Sequence, residues 1–301
     1  MRRAPHWKEG SRYPVVVGTI GAAVVVSAAA WTGHDVSFLE ADAHVRRGEL
    51  WRLVTSALPH VDFLHLLFNV YWVWTFGTLV ESRFGHARTL WIFVVLALAS
   101  SAAEYAVLRG GIGLSGVGYG LFGLVWVLNR RDWRFADTID RRTTWLFVGW
   151  FFFCILTTLN GAMRVANVAH AAGAVAGALV GWAIAARGRR RIAAVAATVL
   201  FTALAMTGAT VWRPYVNLSR QRGLDESRLG YESLEAGDPQ EAVRWLTMAT
   251  ELDSTDARSW FNLGVAYERL HRRLDAARAF ETACRLEPGN PTYRRARDGA
   301  R

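Results

Sequence analysis

The chain has 301 residues, 52% of them hydrophobic and 14 of them Trp, and carries a formal charge of +10. Its apolar residues run in long blocks instead of alternating with polar ones, which excludes ordinary soluble packing for most of the length. The basic excess does not point to nucleic acid: up to Arg222 there are 23 basic and 11 acidic residues, and after it 12 and 14, so the surplus belongs to loops between membrane segments.

A basic segment, residues 1–13, comes first. Spans are then predicted at Pro14–Trp31, Val61–Val80, Thr89–Leu108, Ser115–Leu128, Thr144–Leu159, Val165–Ala186 and Ile192–Trp212. Each is near the ~20 residues that 30 Å of hydrocarbon requires, except Ser115–Leu128, which is short. The first span is read as retained, because no small-residue cleavage site precedes Trp31 and six more spans follow. With the amino terminus inside, segments 1–13, 81–88, 129–142 and 187–191 carry 15 Lys and Arg against 8 outside, the bias expected of a cytoplasmic amino terminus in a multi-pass protein of the cell membrane. The expected fold is all-α. Residues 14–190 form a six-helix membrane core, 191–222 a seventh transmembrane helix and linker, and 223–301 a small helical domain. Cys154 and Cys284 are the only cysteines, so no disulfide framework is indicated.

After Trp212 the composition turns charged and helix-periodic, and the tail repeats at a spacing of 34: Leu229 with Leu263, Gly230 with Gly264, Ala242 with Ala276, Ala249 with Ala283. The second unit, 257–290, resembles the tetratricopeptide repeat at Trp260, Leu263, Gly264, Tyr267, Ala276, Phe280, Ala283 and Pro288. The first departs from that pattern at Glu226 and Ser233. Two units bury little core, so either Pro291–Arg301 caps them or the pair leans on something else. A repeat platform implies a protein or peptide partner; a spacer is the blander reading.

Polar side chains at bilayer depth are costly and are site candidates by default. Three groups stand out: His60, His65 and Asn69 on the second span, Ser115 and Tyr119 on the fourth, and Asn167 and His170 on the sixth. The stretch GIGLSGVGYGLFG, residues 111–123, places the weakest helix formers at the start of a span. Irregular backbone at that depth is tolerated where it lines a wet cavity or is buried in protein, so the fourth helix is expected to begin below the surface at Ser115. Gly116, Gly120 and Gly123 form a smooth ridge, and Gly173 and Gly177 offer a matching face one and two turns after His170. Helices this close would let His170 reach the Ser115 hydroxyl. A serine needs a base to become a nucleophile, and imidazole is suited to that near neutrality. His65 and Asn69, at i and i+4, share a face from which both could support an oxyanion. Singly, each signal has a plainer meaning: a hydroxyl bonded back to its helix, an interhelical histidine, a packing stripe, an aromatic filler.

In combination the residues resemble the rhomboid family of intramembrane serine proteases over about 49–186. The resemblance is carried by ELWRLVTSALPHVDFLHLLFN (49–69), FGTLVESRFG (76–85), GLSGVGYGLFG (113–123) and ANVAHAAGAVAG (166–177). It implies Ser115 as nucleophile and His170 as general base, with His65, Asn69 and the Ser115 amide at the oxyanion. It also implies His60 near the site, Tyr119 packed on the catalytic imidazole, Trp51 and Arg52 as a structural pair in the first loop, and Glu81 with Arg83 as a stabilising cluster. Gly113, Gly116, Gly173 and Gly177 are read as structural from their packing pattern. Implied substrates are single-pass transmembrane proteins entering from the bilayer between the second and fifth spans. A catalytically silent rhomboid-like binder is the alternative. A transporter is disfavoured by the absence of an evident inverted repeat or of carboxylates placed deep in the spans. No metal or organic cofactor is implied, since the histidines lack companion ligands at recognisable spacing.

Overall fold

The computed structural model describes residues 5–219 and 221–300. Met1–Ala4 of the basic amino-terminal segment, Arg220 of the expected linker and Arg301 lie outside the described residues. The chain divides into two compact units at Val216/Asn217, and every described element is helical or irregular.

In the first unit the long helices are α1 (Pro14–Trp31), α2 (Phe63–Phe84), α3 (His86–Val107), α4 (Ser115–Arg131), α5 (Arg141–Leu159), α6 (Asn167–Ala185) and α7 (Gly188–Ala209). All but α4 are long and apolar enough to cross a membrane. At 17 residues α4 is the shortest, and it is also the one enclosed by its neighbours, with Leu121, Leu124, Val125 and Leu128 fully buried. Local chemistry explains where the boundaries differ from the sequence expectation. The Asp62 carboxylate accepts the His65 N–H at 2.8 Å and so starts α2 at Phe63. The helix then runs past Val80 to Phe84, where Gly85 at φ +76° ends it. Inside α2 the segment Val73–Gly77 widens to a π turn where Val16 of α1 and Phe93 of α3 press on Gly77.

Helices α4 and α6 run parallel, with Gly116 against Gly173, Gly120 against Gly177 and Gly123 against Ala174. A β-carbon on Gly173 would stand 2.1 Å from the Gly116 carbonyl oxygen, so backbone meets backbone along the seam. Helix α7 lies against α3 and α6. Just after it, Arg213 is buried, its guanidinium 3.6 Å from the centre of the Tyr105 ring and donating to the Leu108 carbonyl at 2.7 Å. A cation on the carbonyl of Leu108, the residue that follows α3, is favourably placed at the negative end of that helix.

The second unit contains α8 (Leu224–Glu235), α9 (Pro239–Leu252), α10 (Ala257–Arg269), α11 (Arg273–Leu286) and α12 (Pro291–Gly299). Gly230 leaves room for Leu246, and 34 residues on Gly264 leaves room for Phe280. Tyr293 of α12 is buried and stacks on Phe261 with ring centres 4.9 Å apart, closing the end of the array. Cys154 and Cys284 are both free and buried.

Candidate active site

The site is built on the entrance to α4. Gly113, at φ +109°, turns the chain, and a β-carbon there would lie 2.7 Å from the His65 ring. Its N–H donates to the Ser56 carbonyl at 3.1 Å, and the Leu114 N–H donates to His60 Nε2 at 3.2 Å. His60 Nδ1 lies 2.9 Å from the Leu58 carbonyl and 3.2 Å from the Ser27 hydroxyl. An imidazole that accepts at Nε2 and faces a carbonyl at Nδ1 is neutral with its proton on Nδ1. His60 therefore holds the backbone one residue ahead of Ser115.

Ser115 Oγ lies 2.8 Å from His170 Nε2. His170 sits one turn into α6 on the face that carries Gly173 and Gly177, so the seam that brings the backbones together also brings these side chains together. Its other nitrogen, Nδ1, is buried without a hydrogen-bond partner among the described residues. The ring is held instead by Tyr119, stacked on it with centres 4.6 Å apart and 20° between planes. The Tyr119 hydroxyl donates to the Phe147 carbonyl of α5 at 3.2 Å, so the brace is anchored on a third helix.

His65 packs edge-on against His60, ring centres 4.9 Å apart. Asn69 is buried one turn later and donates one amide hydrogen to the His65 carbonyl at 3.0 Å, leaving the second amide hydrogen for another acceptor. Asn167, grouped with His170 by sequence, instead donates to the Thr158 hydroxyl at 2.9 Å and ties the start of α6 to the end of α5.

The first-loop and α2 residues separate into two kinds. Arg52 is buried and organises the loop, pairing with Glu49 at 2.6 Å and donating to the Ser37 carbonyl at 2.8 Å, whereas Trp51 is 54% exposed. Glu81 is buried and accepts the Val15 and Val16 N–H groups at 2.9 and 3.0 Å, capping α1. Its close side-chain partner is His86, at 2.7 Å, and not Arg83, which is exposed. Glu81 is thus a carboxylate cap with histidine beside it, because α1 brings its unpaired amide groups to that carboxylate, while Arg83 of the expected cluster faces Asp132 electrostatically.

A second buried carboxylate was missed. Glu104 of α3, 3% exposed, accepts the Ala169 N–H at 2.9 Å and caps the helix that carries His170. A lone glutamate within the predicted span Thr89–Leu108 was the available signal, and it lies in the last turn of α3. Glu104→Ala strands a buried N–H beside His170 and is expected to lower stability by about 1–3 kcal/mol. Glu104→Gln keeps an acceptor and is expected to lose less; thermal denaturation in detergent, with activity measured in parallel, checks the order.

Residues 47–187 match the rhomboid domain family. The chain carries a rhomboid domain. Residues 257–290 match the tetratricopeptide repeat. The chain is 32% identical over 184 residues to the rhomboid protease GlpG of Enterobacter sp. (strain 638), covering 59% of this chain and 60% of that protein. It is 34% identical over 149 residues to rhomboid protease GlpG of Klebsiella pneumoniae (strain 342), covering 48% of this chain and 51% of the relative. The chain therefore spans between half and three-fifths of the length of these curated relatives. The rhomboid domain, with its apolar helices, makes this an integral multi-pass membrane protein carrying a tetratricopeptide region.

Proposed function

We propose that the rhomboid domain is an intramembrane serine endopeptidase in which Ser115 and His170 act as a dyad. The observation that carries this reading is the 2.8 Å approach of Ser115 Oγ to His170 Nε2 at the start of a short enclosed helix. In the first step the serine oxygen adds to a peptide carbonyl while its proton passes to Nε2; collapse returns that proton to the leaving amine. Water then adds to the acyl-serine with His170 again taking and returning a proton. The carbonyl oxygen gains charge in both additions, and the Ser115 N–H, the free Asn69 amide hydrogen and His65 are the donors assigned to it.

Substrates of this reading are transmembrane helices that unwind locally, since a carbonyl inside an intact helix is hydrogen-bonded and shielded. Lateral entry between α2 and α5 is supported by how lightly that seam is closed at one point: Phe68 stacks on Trp150, ring centres 5.5 Å apart and 7° from parallel, and both rings are partly exposed. An aromatic pair contributes about 0.5–1.5 kcal/mol. Phe68→Ala with Trp150→Ala is therefore expected to raise turnover of a transmembrane substrate about two- to ten-fold, while hydrolysis of a short soluble ester stays unchanged.

The charge bias of the loops supports a cytoplasmic amino terminus. Seven passes, counting the short α4, then deliver the repeats to the outer side, where they are suited to recruit extramembrane parts of substrates or a separate protein partner. The repeats are expected to resist added protease in sealed inside-out vesicles and to be digested in right-side-out ones; the reverse pattern inverts the topology.

A serine-directed phosphonate probe tests the dyad: it labels Ser115 in the native sequence and fails to do so in His170→Ala. Labelling that survives Ser115→Ala overturns the assignment. Absence of both labelling and cleavage across several lipid compositions favours a catalytically silent membrane-protein binder.

A further inference from the structure

A groove of about 450 Å³ lies on the bilayer-facing side of the α4–α6 pair, at the end opposite Ser115. Its walls are Trp126, Val175, Leu179 and Trp182, and its rim carries Arg130 and Arg131 at the last turn of α4. Because α4 and α6 run parallel, both tryptophans lie near the same membrane face, where the connection after α6 adds Arg187 and the first turn of α7 adds Arg189, Arg190 and Arg191. Indole rings and arginines at the end of apolar spans mark headgroup depth.

The rim is charged and uncompensated. Arg130 lies with its guanidinium 3.9 Å above the Trp126 ring and donates to the Trp126 carbonyl at 3.0 Å, which folds it down over the groove. Arg131 is exposed and pairs with no carboxylate among the described residues. The adjacent Asp132 is engaged by Arg134 at 2.6 Å. An apolar slot at acyl-chain depth that opens on two guanidinium groups has the chemistry of a phospholipid with a net negative headgroup: chains along the Val175 and Leu179 wall, phosphate against the fork of donors.

We infer that the groove between α4 and α6 is a binding site for an anionic phospholipid, with Arg130 and Arg131 as headgroup ligands. The site is separate from the Ser115 region and does not depend on the proposed hydrolytic activity. It sits on the outer side of the seam formed by Gly120, Gly177 and Gly181, so an occupied groove supports the packing of the helices that carry Ser115 and His170.

Reconstitution of the full chain with brominated phosphatidylglycerol or brominated phosphatidylcholine tests this directly, because bromine quenches nearby indoles. The groove signal is the quenching lost in Trp126→Phe/Trp182→Phe. It is expected at no more than about one-fifth the mole fraction of the anionic lipid that the zwitterionic one requires, about five-fold being the selectivity that a single nearby arginine supplies and two arginines being present. Arg130→Gln/Arg131→Gln should bring the two lipids to parity, while Arg189→Gln/Arg190→Gln leaves the preference in place. Ala178→Phe, or Val175→Phe if the former does not fold, fills the groove without adding an indole and should abolish groove quenching by both lipids. Equal quenching by the two lipids in the native sequence, or a preference that survives Arg130→Gln/Arg131→Gln, overturns the inference. So does efficient disulfide dimerisation through Val175→Cys in the same bilayers, which would put a second copy in the groove.

Discussion

Ser115→Ala and His170→Ala are each expected to reduce peptide-bond hydrolysis by at least about 10³-fold, and the double substitution to cost little more than either alone. Nucleophile and base act as one unit, so removing either removes the step they share, and the losses do not add. The folded state should tolerate both changes. Ser115 is partly exposed at a helix start, and the seam beside it is held by glycines and not by the dyad. Substitutions at the assigned oxyanion donors are expected to behave differently. His65→Ala or Asn69→Ala removes one donor and should lower kcat about 10²–10³-fold with little change in KM. Tyr119 separates orientation from chemistry. Tyr119→Phe keeps the stack on His170 and loses only the hydrogen bond to Phe147, whereas Tyr119→Ala frees an imidazole whose Nδ1 has no hydrogen-bond partner among the described residues. The expected order of activity is native, Tyr119→Phe, Tyr119→Ala, and then the dyad variants. Steady-state kinetics on one transmembrane substrate, with melting curves for every variant, checks that order. Additive losses in the double substitution would mean that Ser115 and His170 do not share a step.

What could be read from the sequence divides along a physical line. Depth and close approach are written locally: a glycine ridge at 116, 120 and 123 facing 173 and 177 admits only a helix whose backbone comes very near, and the structure brings those helices together. Polar residues at bilayer depth are conspicuous in the same way, so the candidate side chains could be picked out one by one. Partnership was harder to read, because it depends on which helix ends meet. Glu104 serves α6, 65 residues ahead of Ala169 in the chain. Glu81 serves α1, which comes before it. Arg213 closes the end of α3, far back in the chain. In each case a charged group answers unpaired backbone groups at the end of a distant helix, and nothing adjacent in sequence marks the match.

The largest expected effect on stability falls on Gly177. A β-carbon there would stand 1.8 Å from the Gly120 carbonyl oxygen and 2.6 Å from its carbon, both backbone atoms. No rotamer change relieves such a contact, so α6 must move off α4. Overpacking that side chains can absorb costs about 1–3 kcal/mol; here the backbone must yield, and Gly177→Ala is expected at or above the top of that range, Gly177→Val beyond it. Because His170 and Ser115 meet across the same seam two turns away, activity should fall further than the loss of folded protein alone explains. Gly118 provides the control on α4 itself. A β-carbon at Gly118 meets nothing within 4 Å, and alanine is the better helix former by about 1 kcal/mol, so Gly118→Ala should leave activity intact and raise the melting temperature slightly. Comparing the two alanine variants by thermal denaturation and turnover in the same lipid separates a requirement for close helix approach from a general intolerance of the glycine-rich core. Equal effects at the two positions would show that the α4–α6 seam does not set the distance between the hydroxyl and the imidazole.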